Sequence, residues 1–427
     1  MQYAYRAFGR DNMVRLNKLV IEKDTIMRVK KTLPLPLLLL ALLLAACGGA
    51  DKASEGGGKS ACGMLAADEI CVKIGSGEPK TGGIAHIGKD NENGVQLAIN
   101  DINAKGDLVI GGKKVKLVMI GEDDASDPKQ GTIVAQKLVD AKVAAVVGHD
   151  NSGVSIPANA IYSAAGLVQV SPASTDPDYT LKSKRTPQGS VSAYRVVATD
   201  TEQAPALAKY LSKQGVKSIA VIDDATQYGK GLADQFEKAM KDAGVNVLAR
   251  EAVNDKTADF KALLTKVKAL NPDYIFWGGM DDTAATLVKQ MKELGMHSQL
   301  ASADGVCTDK FIELSGAAGK GVICSQAGMP LSKMPKGAEF NANYEKTFPG
   351  QKVQIYSPFA YDATYAIVEA MKIANSVEPE AIAAAMPKVN FVGLIGPIAF
   401  DQKGDIKNGA ISIFEVKDKL ELLEIIQ

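Results

Sequence analysis

The chain has little of what most enzymes work with. Its three histidines, His86, His149 and His297, are scattered over 427 residues. That spacing excludes an H-E-x-x-H zinc site, and a catalytic triad would need distant partners. No G-x-x-x-x-G-K-[ST] and no G-x-G-x-x-G follows a strand; Gly75-Ser76-Gly77-Glu78 fits neither template, and there is no G-x-S-x-G elbow. Aromatic residues make up only 6%, and no basic stripe carries aromatics between its charges, so a nucleic-acid partner is not expected. The 49 Lys and Arg balance 49 Asp and Glu. Neither an enzymatic activity nor a cofactor is expected.

Long apolar runs are equally scarce. One lies between Leu33 and Ala46, behind the positive start Met27-Arg28-Val29-Lys30-Lys31 and ahead of Leu44-Ala45-Ala46-Cys47-Gly48-Gly49. It is too short to span a bilayer comfortably. Small residues ending in Cys read as a signal peptide with a bacterial lipobox, with an N-terminal anchor helix as the competing view. Residues 1–46 are therefore expected to be a leader and Cys47 the acylated first residue of the mature chain. Residues 1–26 carry Arg6, Arg10, Arg15, Lys18 and Lys23 and no secretory apolar segment. Met27 makes the better start, so 1–26 read as a start-site overcall. Residues 47–61 are a flexible tether by composition. The leader holds eight Lys/Arg and three Asp/Glu, so 41 basic against 46 acidic side chains remain, a net charge of −5.

Besides Cys47 there are four cysteines, in two close pairs, Cys62 with Cys71 and Cys307 with Cys324. Export to an oxidising compartment favours two local disulfides. Metal binding is the alternative, without a histidine near either pair.

From Val72 onward, apolar strands alternate with amphipathic helices. Val72–Ile74, Val115–Ile120, Val143–Val147 and Leu167–Val170 read as strands, with helices over 88–102 and from Pro128. The same units recur after Val197, and a helical stretch over 338–385 is followed by a last strand at 410–416. The length suits two domains, and the recurrence predicts two similar α/β lobes with parallel central sheets and a cleft between them.

Two loops stand out, Gly148-His149-Asp150-Asn151-Ser152-Gly153 and Ser171-Pro172-Ala173-Ser174-Thr175. Each follows a strand and precedes helix-like sequence, which puts both at the carboxyl rim of a parallel sheet, where ligands bind. Ser152, Ser174 and Thr175 supply hydroxyls beside free helix N–H groups, a setting for a small anion such as a carboxylate. Each loop alone also reads as an ordinary helix N-cap.

Together, Gly148-His149, Asn151-Ser152 and Ser171-Pro172-Ala173-Ser174-Thr175 resemble the leucine/isoleucine/valine-binding proteins. These are the type I solute-binding proteins of bacterial amino-acid ABC transporters, and the likeness runs from about Val72 almost to the end. It implies two Rossmann-like lobes joined by a three-crossing hinge, with 72–193 plus 327–396 in one lobe and 194–326 plus 397–427 in the other. It also implies a monomer anchored by lipid at the periplasmic or extracytoplasmic face of the membrane, binding an amino acid and delivering it to permease subunits. A sensor subunit of the same fold, acting on a regulatory partner, is the alternative.

By the same resemblance, Ser152 and Thr175 hold the ligand carboxylate, while the Ala173 carbonyl and Thr175 hydroxyl help to hold the ammonium. Asp304 completes the ammonium site where the family often has the longer Glu. Tyr228 matches a tyrosine that reaches across the cleft. Met280 and Ile87 stand where relatives often place aromatics on the ligand. Asn151 replaces a family cysteine and Ser126 its usual disulfide partner. Asp281 and Asp282 read as a solvated helix start or a greeting for a cationic side chain, and His149 as a structural hydrogen-bonding group.

Overall fold

The computed structural model describes residues 62–426, so the leader, Cys47 and the tether over 47–61 lie outside the described residues. The chain opens with β1 (Glu69–Glu78), α1 (Ala85–Lys105), β2 (Val109–Ile110) and β3 (Lys113–Asp123). It continues with α2 (Pro128–Asp140), β4 (Ala145–Gly148), α3 (Ser152–Ala164), β5 (Gln169–Ser171), α4 (Asp178–Leu181) and β6 (Ala193–Arg195). These six strands form one sheet in the order β2-β3-β1-β4-β5-β6. It is parallel except where β2 pairs antiparallel with β3.

The second sheet is built from α5 (Asp200–Lys213), β7 (Ser218–Asp223), α6 (Gln227–Asp242), β8 (Asn246–Ala252), α7 (Lys261–Leu270), β9 (Tyr274–Gly278), α8 (Asp281–Glu293), β10 (Gln299–Ser302), α9 (Asp309–Ser315) and β11 (Ile323–Gln326). Then α10 (Gly337–Thr347), α11 (Ser357–Ala374) and α12 (Pro379–Ala385) return to the first sheet, α11 packing on α1, β4 and β5. A small hairpin, β12 (Asn390–Val392) with β13 (Pro397–Ala399), leads to β14 (Ile411–Val416) and β15 (Leu420–Ile426). The second sheet runs β15-β14-β11-β10-β9-β7-β8, with β14 and β15 antiparallel at its edge. The chain thus passes three times between the two sheets. The α/β architecture is as expected.

Some details differ from the sequence reading. β6 pairs with β5, so the first sheet extends through Tyr194 and Arg195, past the boundary expected at 193. The strand at 411–416 is followed by β15, whose half-exposed face gives a weak apolar signal.

Local chemistry explains the elements that position the cleft. Ala145, Val146 and Val147 are completely buried because helices cover both faces of β4. Asp127 caps α2 by accepting from the backbone N–H groups of Lys129 (2.9 Å) and Gln130 (2.8 Å), with Pro128 at the first helical position. The α1–α11 contact needs Gly94, where a Cβ would lie 2.3 Å from the Ser357 carbonyl oxygen. Beside it, buried Asp90 accepts from the N–H groups of Gln354, Tyr356 and Ser357 at 3.0, 2.9 and 2.8 Å. That carboxylate fixes the entry to α11 and with it Tyr356. Both cysteine pairs are bridged, Cys62–Cys71 and Cys307–Cys324, with Cα atoms 5.8 and 5.5 Å apart. Among the described residues no helix is long and apolar enough to cross a membrane, and no group of three His, Cys, Asp or Glu is arranged to hold a metal ion.

Candidate functional site

The rims of the two sheets face each other across a small cavity. From the first sheet's side come Ile87, Asp150, Asn151, Ser152, Ala173 and Tyr356; from the second come Tyr228, Met280, Asp304 and Gly305. Seven of the nine expected ligand residues therefore meet at one place. The other two, Ser174 and Thr175, are buried just behind.

The two expected rim loops differ. Gly148 holds the first at a φ of 117°, and a Cβ there would lie 2.4 Å from the Gly77 carbonyl oxygen, so only glycine fits. Ser152 then opens α3, a thirteen-residue helix, and its hydroxyl also accepts from the Asp176 N–H at 3.2 Å. The second loop is followed only by the single turn α4, so Ser174 and Thr175 are not caps of a long helix. Ser174 joins the loops instead: its hydroxyl lies 2.6 Å from the Ser155 hydroxyl and donates to the Asp150 carbonyl at 2.9 Å. The Thr175 hydroxyl is fully buried and has no close hydrogen-bond partner among the described residues other than the Asp200 carboxylate beside it. This hydroxyl belongs to the residue expected to touch both charged ends of an amino acid.

The Ser126 hydroxyl donates to Asn151 Oδ1 at 2.7 Å, so the two residues read as replacing a cysteine pair do lie side by side. His149 is structural, fully buried between Asp124 (Nδ1 to Oδ2, 2.6 Å) and the Tyr162 hydroxyl (Nε2, 2.9 Å).

Asp304 sits after β10 and is almost fully buried. Its Oδ1 accepts from Gln203 Nε2 at 2.9 Å and the Tyr228 hydroxyl at 3.0 Å, while Oδ2 accepts from the Tyr356 hydroxyl. Burial pushes its carboxyl above the ordinary value, although these three donors pull the other way. Burial first and the Asp304 charge second push both phenols well above their ordinary value, so Tyr228 and Tyr356 remain donors. Tyr228 spends its oxygen on Asp304 and the Gly305 N–H (3.0 Å), both on its own side. Tyr356, not Tyr228, makes the hydrogen bond that crosses the cleft.

Two further polar pairs cross between the sheets' rims. His86 Nε2 lies 2.9 Å from Asp281 Oδ2, and Gln227 Nε2 donates to Asp176 Oδ2 at 2.8 Å. Asp281 is fully buried rather than a solvated helix start, and it also accepts from the Thr308 hydroxyl at 2.6 Å. Asp200 adds a third buried carboxylate. Burial, then the charge of Asp304, pushes its pKa well up, and the neighbouring Thr175 hydroxyl opposes the rise only in part.

Residues 71–420 match the family model for periplasmic binding proteins. The Leu/Ile/Val-binding protein homolog 1 of Brucella abortus is 35% identical over 340 residues, 79% of this chain and 88% of that protein. The leucine-, isoleucine-, valine-, threonine- and alanine-binding protein of Pseudomonas aeruginosa is 30% identical over 358 residues, 82% and 91% of the two chains. Among solved structures, the leucine-binding protein LivK of Thermotoga maritima superposes with a TM-score of 0.75 at 27% identity, covering 83% of this chain and 98% of that one. LivJ of Streptococcus pneumoniae, a branched-chain amino acid transporter substrate-binding protein solved with isoleucine, gives 0.75 at 25% identity and covers 84% and 99%. All are named as binding proteins, in agreement with the expectation of no enzymatic activity. With the twin sheets, the facing rims and this coverage, the chain belongs to the type I periplasmic binding proteins.

Proposed function

We propose that this protein is the lipid-anchored, extracytoplasmic substrate-binding protein of an amino-acid ABC transporter. It closes its two lobes on an α-amino acid, branched-chain or related, and delivers it to the permease. One observation carries the reading: Ser152 and Ala173 line one cavity with the buried carboxylate of Asp304, and the buried Thr175 follows directly behind Ala173 and Ser174. Donors on one side and acceptors on the other are what a carboxylate and an ammonium on one carbon require once both are desolvated. Asp304 then supplies the counter-charge for the ammonium. Ser152 and the N-terminus of α3 take the carboxylate. The lipid anchor rests on the Leu44–Cys47 sequence, and mass spectrometry of membrane-extracted protein is expected to find a lipid on Cys47.

Thr175 and Ser152 contact groups common to all amino acids, whereas Met280 and Ile87 face the variable side chain. Thr175→Ala is expected to weaken every accepted ligand by about tenfold to a hundredfold, the loss of a hydrogen bond to a charged group of about 1.5–3 kcal/mol, leaving the ranking intact. Met280→Ala is expected to reorder ligands, weakening larger apolar ones most. Titration of both variants against three ligands of different side-chain size tests this. A reordering by Thr175→Ala together with uniform weakening by Met280→Ala would reverse the assignment.

The His86–Asp281 pair makes closure pH-dependent. Burial alone would lower the His86 pKa, but the hydrogen bond and charge of Asp281 outweigh it and hold it above its ordinary 6.5. A raised value means the pair favours the closed form fully below 6.5 and loses that contribution as pH rises through the raised value. With His86 partly exposed, the effect is about 0.2–1 kcal/mol, up to roughly fivefold in affinity. Titrations from pH 5.5 to 8.5 are expected to show a steeper fall in the wild type than in His86→Gln, where only the titration of Asp150 remains. An identical pH profile in the two proteins would remove the latch.

A further inference from the structure

Asp150 has no part in the roles assigned so far. It lines the cavity while only 4% exposed. Its Oδ1 accepts from Asn91 Nδ2 at 2.9 Å, and its Oδ2 accepts no hydrogen bond from the described residues. Asn91 lies one helical turn beyond Ile87 on the same face of α1. The carboxylate is therefore tied to the helix that carries Ile87, in the same small cavity that Ser152, Ala173 and Asp304 line. An aliphatic ligand side chain placed there would leave a desolvated carboxylate facing methyl groups, which is unfavourable.

We infer that Asp150 is a specificity-determining residue that selects amino acids whose side chains donate a hydrogen bond, through a hydroxyl, amide or ammonium group, over aliphatic ones of the same shape. This rests on the reading of the cavity as an α-amino-acid site and narrows that reading from the branched-chain aliphatic acids to related acids whose side chains donate. The surroundings agree with it. Burial, then the charge of Asp124, pushes the Asp150 pKa up to about 7, and Asp304 adds to the rise. Asn91 and His86 oppose it in part. A donor brought by the ligand stabilises the ionised form that these neighbours disfavour. A carboxylate held only for structure would be served by Asn91 alone and would not sort ligands by shape-matched pairs.

The test is calorimetry of ligand-stripped protein against two near-isosteric pairs, threonine with valine and asparagine with leucine. The donor member of each pair is expected to bind at least about tenfold more tightly, since a site built to hydrogen-bond a ligand rejects the analogue lacking the group. Asp150→Leu is expected to reverse both preferences, and Asp150→Asn to shrink them. Because the wild-type ranking needs no variant, a misfolded Asp150→Leu leaves the inference exposed to refutation. Tighter binding of valine and leucine by the wild type would overturn the role of Asp150 while leaving the amino-acid site standing. Absence of binding by any amino acid would overturn the site itself, and the inference with it.

Discussion

Asp304→Asn is expected to cut amino-acid affinity by roughly thirtyfold to several thousandfold while leaving the empty protein as stable as before, or more so. Asp304 is nearly isosteric with Asn, so the cavity keeps its shape. What is lost is the counter-charge for a desolvated ammonium, and truncating one partner of a buried charge pair costs about 2–5 kcal/mol. In the absence of a ligand, the same carboxylate is a burden. Burial raises its pKa, and three donors, Gln203, Tyr228 and Tyr356, only partly offset the cost of desolvating it. The opposite signs separate a binding role from a structural one. Thermal unfolding and calorimetry on one preparation measure both. A large loss of stability with unchanged affinity would assign Asp304 to the scaffold.

Arg195→Met is expected to act in the other sense, destabilising the fold by about 3–5 kcal/mol. The guanidinium is fully buried and all of its nitrogens are engaged. Nε donates to Asp405 Oδ1 at 2.7 Å, Nη1 to the Ser174 and Asp176 carbonyls at 2.8 and 2.9 Å, and Nη2 to the Thr180 hydroxyl at 2.9 Å. The Tyr179 ring lies 5.3 Å away. Methionine fills part of the volume but leaves the buried Ser174 carbonyl without its donor and Asp405 without its counter-charge, with only the Thr180 hydroxyl still donating to that carboxylate. Arg195 thereby ties the loop that carries Ala173 and Thr175 to Asp405, on the last passage between the sheets. Urea unfolding of the variant gives the stability change, and Asp405→Leu in the same chain is expected to restore part of it by removing the stranded charge. A loss below 1 kcal/mol would mean that the loop holds its shape without the guanidinium.

The parts of the site that were legible in the sequence are those with a local signal. The valine run before Gly148, the hydroxyls after each of two strands and the closely spaced cysteines all reflect chemistry within a few residues. Tyr356 carries no such signal. It reads as the residue before a helix, and Asp90, on a distant α1, delivers it to Asp304. The α1 segment Asp90-Asn91-Glu92-Asn93 looks like a solvated face, yet all four residues are buried, Asp90 against the chain entering α11, Asn91 against Asp150, Glu92 under Lys80 and Lys89, and Asn93 against Tyr344 and Gln351. Asp200 and Asp281 mislead in the same way. An acid in the first turn of a helix is commonplace on a surface, and only the apposition of the two rims buries these two. Polar residues are read as exposed by default, and a cleft lined with them inverts that rule.

The central claim is that one cavity holds both charged ends of an α-amino acid. It is tested most directly by calorimetry of the ligand-stripped protein with the L-amino acid it binds best and with the same acid lacking its α-amino group. The pairing of Asp304 with the ammonium predicts that the deamino acid binds at least about a hundredfold more weakly. Equal affinity for the two compounds would contradict it.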